Sequence, residues 1–381
     1  MSGYRFDVER PGGKLSSDPV LVSAVLLLVG VGLVTLYSAS FPFAERFFDD
    51  GLYFIRKQVV FAGLGFVVFL IASRVNLELL RRFIKPLVLG SILLCLLTFI
   101  PGIGVMKNGA ARWIRLGSST YQPSELVKVI LPLYLAHIFD KKQDRLTELS
   151  GGVLPPALVT LFFFLLIYLQ NNFSTAAFIT INALAVFYFA GVGLRYFAAS
   201  ALVIAPVSLL LILTKEHRLR RIVSFIKPEW DPLGASYQVR SSVAAIASGD
   251  LWGKGFGQGT RKIANVPEVH SDFVFSAYAE ELGLIGVALA FALFALFLHR
   301  GFRAARAAEG NFRRLLACGL VTTIASQALL NVAVVVGALP ATGIPLPFFS
   351  AGGSSLATTL FAAGLIVNVS RLPRAQEALH A

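Results

Sequence analysis

Ten stretches of the chain are nearly free of charge, and each approaches the roughly 20 residues a helix needs to cross about 30 Å of hydrocarbon. They run over 19–39, 58–73, 84–100, 122–139, 153–170, 174–191, 197–214, 273–298, 315–338 and 355–370. The second, third and last are short, so their edges are soft. None alternates with period two, and in lipid every backbone N–H and C=O must be satisfied within the protein, which leaves helices as the alternative to a closed barrel. The pattern predicts an all-α polytopic membrane protein. Residues 1–18 are expected as a cytoplasmic N-terminal segment and 19–370 as a single ten-helix membrane domain, with a long outer loop at 215–271 ahead of the eighth helix. Residues 371–381 are expected as a cytoplasmic tail.

Composition agrees, with 56% hydrophobic and only 14% charged residues among 381, which excludes an ordinary soluble domain. The net charge of +13 raises nucleic acid as a partner. The basic residues sit instead in short loops between apolar stretches, where insertion orientation requires them, and nucleic-acid binding is set aside. Short loops on the side of the two termini hold eighteen Lys and Arg, from Arg5 to Arg374, against six on the other side, Arg46, Arg56, Lys57, Lys107, Arg112 and Arg115. Both termini are therefore expected in the cytoplasm. Cys95 and Cys318 lie inside apolar runs, which argues against a disulfide framework or thiolate metal site. The order Met1 to Asp18, then Pro19 to Tyr37, is that of a signal peptide, but the apolar run is too long for one and reads as a retained first span.

This topology gathers the loops 101–121, 215–271 and 339–354 on the outer face, and they hold most of the polar, Gly- and Pro-rich sequence. Within NVPEVHSDFVFSAYAEELG, Ser271 can cap the eighth helix with Asp272 in its first turn; His270 is a second titrating group and Glu268 lies just upstream. An ordinary cap explains those residues as well as a general base does. QPSELVK opens the fourth span, bringing Gln122, Ser124, Glu125 and Lys128 to similar depth, with Glu125 and Lys128 on one helix face. That pair is either a neutralised ion pair or an orienting acid beside a cation for an anionic substrate. Arg112 and Arg115 flank Trp113, an arrangement that holds a phosphate or merely anchors at the headgroups. Glu280 and Glu281 lie deeper and, being adjacent, cannot both face Asp272, so at least one is structural. Gln327 and Asn331 share a face of the ninth span as an interhelical hydrogen-bonding patch. In ATGIPLPFFSAGGSS, Pro345 and Pro347 forbid a regular helix while Gly352 and Gly353 permit close approach, so this segment, with Ser350, is expected as a re-entrant loop beside the site. GKGFGQG lacks the strand context and the Lys-Ser/Thr ending of a nucleotide loop.

Five stretches, NGAARWI, QPSELVK, YQVRSSVAAIASGDLWGKGFGQG, VPEVHSDFVFSAYAEELG and TGIPLPFFSAGGSS, occur in an order that resembles the SEDS family (shape, elongation, division and sporulation) over nearly the whole chain. The resemblance implies a peptidoglycan glycosyltransferase that polymerises lipid II into glycan strands at the outer face of the bacterial cytoplasmic membrane. It implies a class B penicillin-binding protein transpeptidase as partner within a division or elongation complex, and GDLWGKGFGQGTRK reads closer to the division and sporulation branch. Asp272 matches the family's essential acid, and Glu125 and Lys128 match its polar residues on the fourth span. Departures are HSDF for HTDF, Ala111 for an Arg before the Trp, Ala351 for a Tyr in SAGG, and Asn172 in LQNNFSTA where an Asp is common. The reaction so implied has Asp272 as base, with Lys128, Arg112 and the basic outer loop steadying pyrophosphate. Gln122, Ser124, Ser271, His270 and Ser350 are further substrate contacts, and Glu280, Glu281, Pro345, Pro347, Gly352 and Gly353 supports. A divalent cation could share the pyrophosphate, although no dedicated ligand set is evident. The competing class is a lipid II flippase that performs no catalysis, which would use the same intramembrane charges and broken helices.

Overall fold

The computed structural model describes residues 15–107, 109–117, 119–227, 229, 235–259 and 271–373. Each apolar stretch carries a helix. In order they are α1 Pro19–Phe48, α2 Tyr53–Ala72, the short α3 Leu77–Arg82, α4 Ile84–Leu97, α5 Pro123–Lys141, α6 Leu154–Leu169, α7 Phe173–Ala190, α8 Leu194–Leu213, α9 Glu216–Ile226, α10 Ala235–Ser248, α11 Val274–Ala307, α12 Asn311–Val335 and α13 Gly353–Val369. Among the described residues seven helices are long and apolar enough to cross a membrane: α1, α2, α6 with its preceding turn, α7, α8, α11 and α12. Two of the others, α4 and α13, are shorter apolar helices, while α5 spans 19 residues and is distinguished by its own charges. α1 and α11 run past their expected ends at 39 and 298, because helical hydrogen bonding continues where the sequence turns amphipathic.

Strands escaped the sequence reading. The outer loop folds as an antiparallel sheet of β2 Gly104–Lys107, β3 Ala110–Leu116 and β4 Ser119–Tyr121, with Ile114 opposite both Gly104 and Tyr121. In β3 only Ala110 and Ile114 are buried, too short an alternation to stand out in the sequence. β1 Leu15–Ser16, just before α1, pairs with β5 Leu372–Pro373, just after α13, so the start of the first helix and the end of the last meet.

α1 packs on α11, α2 on α13, and α12 lies against α11, α5 and α7, while α8 buries no residue at all. Since lipid tails are as apolar as leucine, side-chain amides and close packing must fix neighbours, at roughly 0.6 kcal/mol per polar contact. Asn368 on α13 donates to the carbonyls of Ala72 and Val75 at 2.8 and 2.7 Å, closing the end of α2.

α11 is broken at Gly283, whose φ of 63° lies in the left-handed region. The freed backbone groups are taken up by the segment after α10. Lys254 and Gly255 donate to the carbonyls of Glu280 and Glu281, each at 3.0 Å, and Leu284 donates to Asp250 at 2.9 Å. A side chain on Gly283 would strike the Gly253 nitrogen and the Leu251 carbonyl, so both chains must be bare here. GDLWGKG, unplaced by motif, is thus the plug of a helix break.

Candidate active site

Asp272 sits in a turn spanning 271–273. The expected Ser271 cap is a correction: α11 begins at Val274, Phe273 occupies the cap position, and no side chain caps it. Asp272 therefore stands ahead of the first turn, not in it, because the helix does not close until the Phe273 carbonyl takes the Ser276 amide. Its own carbonyl accepts from Asn331 Nδ2 at 2.8 Å, and the same amide nitrogen donates to Ile344 at 2.9 Å. One side chain on α12 thereby clamps the acid to the Pro-rich loop. A Cβ on Gly343 would lie 3.4 Å from Asp272 Oδ2, so the loop runs along the carboxylate.

One turn earlier on α12, Gln327 Nε2 donates to the Pro345 carbonyl at 2.9 Å, and its Oε1 accepts from Lys128 Nζ at 3.1 Å. Lys128 also pairs with Glu125 at 2.8 Å, both about 4% exposed. The pair is neutralised inside the bundle and reaches the site through Gln327. From the other side, Gln58 on α2 donates to the Ser350 carbonyl and accepts from Gly352, each at 3.1 Å. Ser350 Oγ accepts from the Leu346 amide at 2.8 Å and is buried, and Gln122 donates to the buried Ser124 hydroxyl at 3.0 Å. These residues hold the loop and the start of α5; they do not line the cavity beside Asp272. Glu280, fully buried, pairs with Lys254 at 3.0 Å, while Glu281 accepts from Ser38 of α1 at 2.6 Å. His270 and Glu268 lie outside the described residues.

A cavity of about 210 Å³ is lined by Arg112 of β3, Asn171 and Asn172 at the α6–α7 turn, Arg218 and Arg221 of α9, and Thr342. Thr342 precedes Gly343, the residue that runs along the Asp272 carboxylate, while Asp272 is not itself among the lining residues. Arg112 donates to the Asn171 carbonyl, Arg218 to Leu211 at 2.8 Å, and Arg221 to Ala341 at 3.3 Å. Burial first, then the neighbouring Arg221, pulls the Arg112 guanidinium down to about 10, against the opposing field of Asp272. Burial also lowers Arg221, again opposed by Asp272. The carboxylate and the two guanidinium groups are thus within charge reach of one another. Arg218 lies over the rings of Tyr168 and Phe173 at 4.7 and 5.1 Å. Arg112 Nε, Arg218 Nε and Nη2, and Asn172 Nδ2 find no acceptor among the described residues, and a buried donor so left costs about 1–3 kcal/mol. Sequence reading had counted Arg218 and Arg221 only as loop charge, although their spacing of three on HRLRR places them on one helical face. A second groove of about 470 Å³ is walled by Val60, Phe61, Leu64 and Leu116, with Arg56 and Lys57 beside them. Among the described residues no three His, Cys, Asp or Glu side chains gather as a metal centre; the positive charge here is supplied by guanidinium groups.

A bundle of membrane-length helices, with three arginines lining one pocket and an acid whose field reaches two of them, defines a polytopic membrane protein with a charged site at one end. The chain belongs to the FTSW_RODA_SPOVE family of cell cycle proteins, whose model matches residues 19–375. It is 40% identical over 353 residues to a protein of Trichlorobacter lovleyi named a probable peptidoglycan glycosyltransferase FtsW, covering 93% of each chain. It is 36% identical over 361 residues to stage V sporulation protein E of Bacillus subtilis, covering 95% of this chain and 99% of that one. The fold resembles a solved peptidoglycan synthase complex that coordinates polymerization and crosslinking, with a TM-score of 0.78 and 29% identity over 93% of this chain and 98% of the other. It also resembles the rod shape determining protein RodA of Thermus thermophilus, with a TM-score of 0.68 and 28% identity over 95% and 99%.

Proposed function

We infer that this chain is a peptidoglycan glycosyltransferase that polymerises lipid II, and that Asp272 is its general base. The observation that carries the mechanism is the Asp272 carboxylate held beside the Gly343 loop, within the field of Arg112 and Arg221. Asp272 takes the proton of the acceptor sugar's 4-hydroxyl. The oxygen forms a bond to the donor's anomeric carbon, opposite the bond that breaks, and the bonding pair leaves with undecaprenyl pyrophosphate. One inversion results, the guanidinium groups balance the leaving charge, and the proton on Asp272 passes to solvent. The apolar groove with Arg56 and Lys57 beside it suits a polyprenyl chain under an anionic headgroup.

Lys128 and Glu125 act here as positioning residues through Gln327 and not as substrate contacts. Pairing of β1 with β5 supports termini on a common face, and the excess of Lys and Arg on that face supports a cytoplasmic location, with the site facing the exterior. A class B penicillin-binding protein is the partner this reading expects, on the model of the similar synthase complex. The flippase alternative is not favoured, since the relatives are named glycosyltransferases.

Purified wild type given labelled lipid II should yield long glycan, and Asp272→Asn should yield none while melting at the same temperature. Full polymer formation by that variant would remove Asp272 from the chemistry.

A further inference from the structure

Resting on the glycosyltransferase reading, we propose that the groove between α9, α10 and the end of α12 seats the short acidic peptide carried by the saccharide substrate. The groove holds about 480 Å³ and is continuous with the arginine-lined cavity, since Arg221 and Pro340 wall both. That volume lies within the range of small-ligand sites. Val239, Val243 and Ala247, four residues apart, make one face of α10 its apolar side. A Cβ on Gly337 would stand 3.3 Å from Val243 and 3.4 Å from Val239, so this face rests on bare backbone just past α12. Ser242, fully buried, donates to the Val335 carbonyl at 2.7 Å and pins α10 there, so the wall stands before any ligand arrives. Val243 and Phe225 are 40% and 39% exposed, which leaves apolar surface uncovered.

The polar groups of the groove select the occupant. They are the guanidinium groups of Arg221 and Arg240 with the hydroxyls of Ser224 and Ser236, and among the described residues that line it none is Asp, Glu, Asn or Gln. A sugar is bound through carboxylates and amides that take its hydroxyl protons, and this wall has none. A polyprenyl tail would bury apolar surface and leave both arginines idle. Peptidoglycan precursors carry a third part, a peptide of small alanines and free carboxylates on the lactyl group of muramic acid. Its methyl groups suit a wall of valine and alanine, and its carboxylates suit two guanidinium groups. Continuity with the cavity at Arg221 lets one substrate occupy both, and Arg240, exposed on α10, is the cation that belongs to the groove alone.

The test compares two substrates with purified full-length protein in detergent: lipid II, and lipid II whose peptide carboxylates are amidated. Wild type should favour the acidic form by about tenfold or more in kcat/KM, the scale of one charge-assisted hydrogen bond. Arg240→Gln should shrink that preference severalfold, and Arg240→Glu should erase it. Equal use of both substrates by wild type would overturn the proposal, as would a preference untouched in both variants. Titration with soluble muramyl peptide and its amidated form reads the groove without catalysis, and Arg240→Glu should weaken the acidic probe by about tenfold. Absence of polymer from either substrate would therefore sink the glycosyltransferase reading while the titration still decides the groove. If Arg240→Glu instead loses co-purification with a class B penicillin-binding protein and keeps the peptide preference, the groove belongs to a protein partner and the proposal is wrong.

Discussion

Asn331 contributes no reacting group, yet its removal should nearly silence the enzyme. Its amide nitrogen makes two bonds, to the Asp272 carbonyl at 2.8 Å and to Ile344 at 2.9 Å, from a side chain 1% exposed. Asn331→Leu keeps the volume but deletes both bonds and leaves the Ile344 carbonyl buried without that donor. Two net hydrogen bonds at about 1 kcal/mol each, plus about 1–3 kcal/mol for the desolvation of an abandoned carbonyl, total about 3–5 kcal/mol. Part of this is recovered if the turn at 271–273 moves away from the loop, and that movement is what harms catalysis. A shift of about 1 Å in a reacting group costs on the order of 100-fold in rate. The assay is initial-rate polymerisation of labelled lipid II by purified variant, alongside a melting curve in the same detergent. Asn331→Asp is the matched control, since it presents a carboxylate oxygen to two carbonyls and should be no better than Leu. If Asn331→Leu melts lower but polymerises within about twofold of wild type, the clamp does not set the position of Asp272 and the reasoning is wrong.

Two further outcomes follow from the packing. Gly283→Ala places a Cβ against the Gly253 nitrogen at a φ of 63°, and backbone cannot yield as a side-chain tip would. A loss of about 2–4 kcal/mol is expected, read as a lower melting temperature and as faster proteolysis of the 249–255 segment; wild-type values for both would refute the plug. At the other end of the bundle, Asp18 caps α1 and takes two hydrogen bonds from Arg300 at 2.7 and 2.8 Å. Burial raises its carboxyl, but the Arg300 bonds and the Leu21 and Val20 amides outweigh it and hold it below the ordinary 3.8. A depressed acid contributes stability that is present above its unfolded value and lost as pH falls through the folded one. Asp18→Asn should therefore cost about 1.5–3 kcal/mol of stability at neutral pH, read as a lower melting temperature, and flatten the decline of that temperature below about pH 4. An unaltered acid limb would show that another group titrates there.

The spans were legible because lipid admits few solutions, so a run of uncharged residues nearly dictates a helix. Asp272 stood out for a related reason: a charge at the mouth of an apolar run is conspicuous. Its surroundings were less so. Ser271 looked like a cap, yet the turn from 271 to 273 delays α11, a choice made by the Asn331 clamp and not by local propensity. For Glu125 and Lys128 the sequence left open a neutralised ion pair or an acid beside a substrate cation, and in the structure Lys128 bonds both Glu125 and Gln327. Arg218 and Arg221 were hidden in the long outer loop, whose cations stood outside the orientation count. Asn172 stood out only as a departure where an Asp is common, and neither it nor Asn171 pointed to the arginines of β3 and α9 beside them, which are distant in sequence.

The rigidity of the site comes from a match between two periodicities. Gln327 and Asn331, four apart on α12, point the same way about one turn from each other. The carbonyls they hold, Ile344 and Pro345, are successive in a loop that packs its Phe348 backbone on Gly32 of α1. Successive carbonyls in extended chain point to opposite sides, so both can be held by one helix only if the loop turns between them and offers no competing donor. Pro345 supplies that condition, since it has no N–H and fixes its own φ. A loop whose Ile344 and Pro345 carbonyls are gripped by two amides on a helix that is itself buried between α5, α7 and α11 cannot slide without breaking both contacts. Asp272 inherits that fixity through its own carbonyl, and the buried Glu125 and Lys128 pair, costly in itself, keeps Gln327 in the orientation that offers its N–H to the loop.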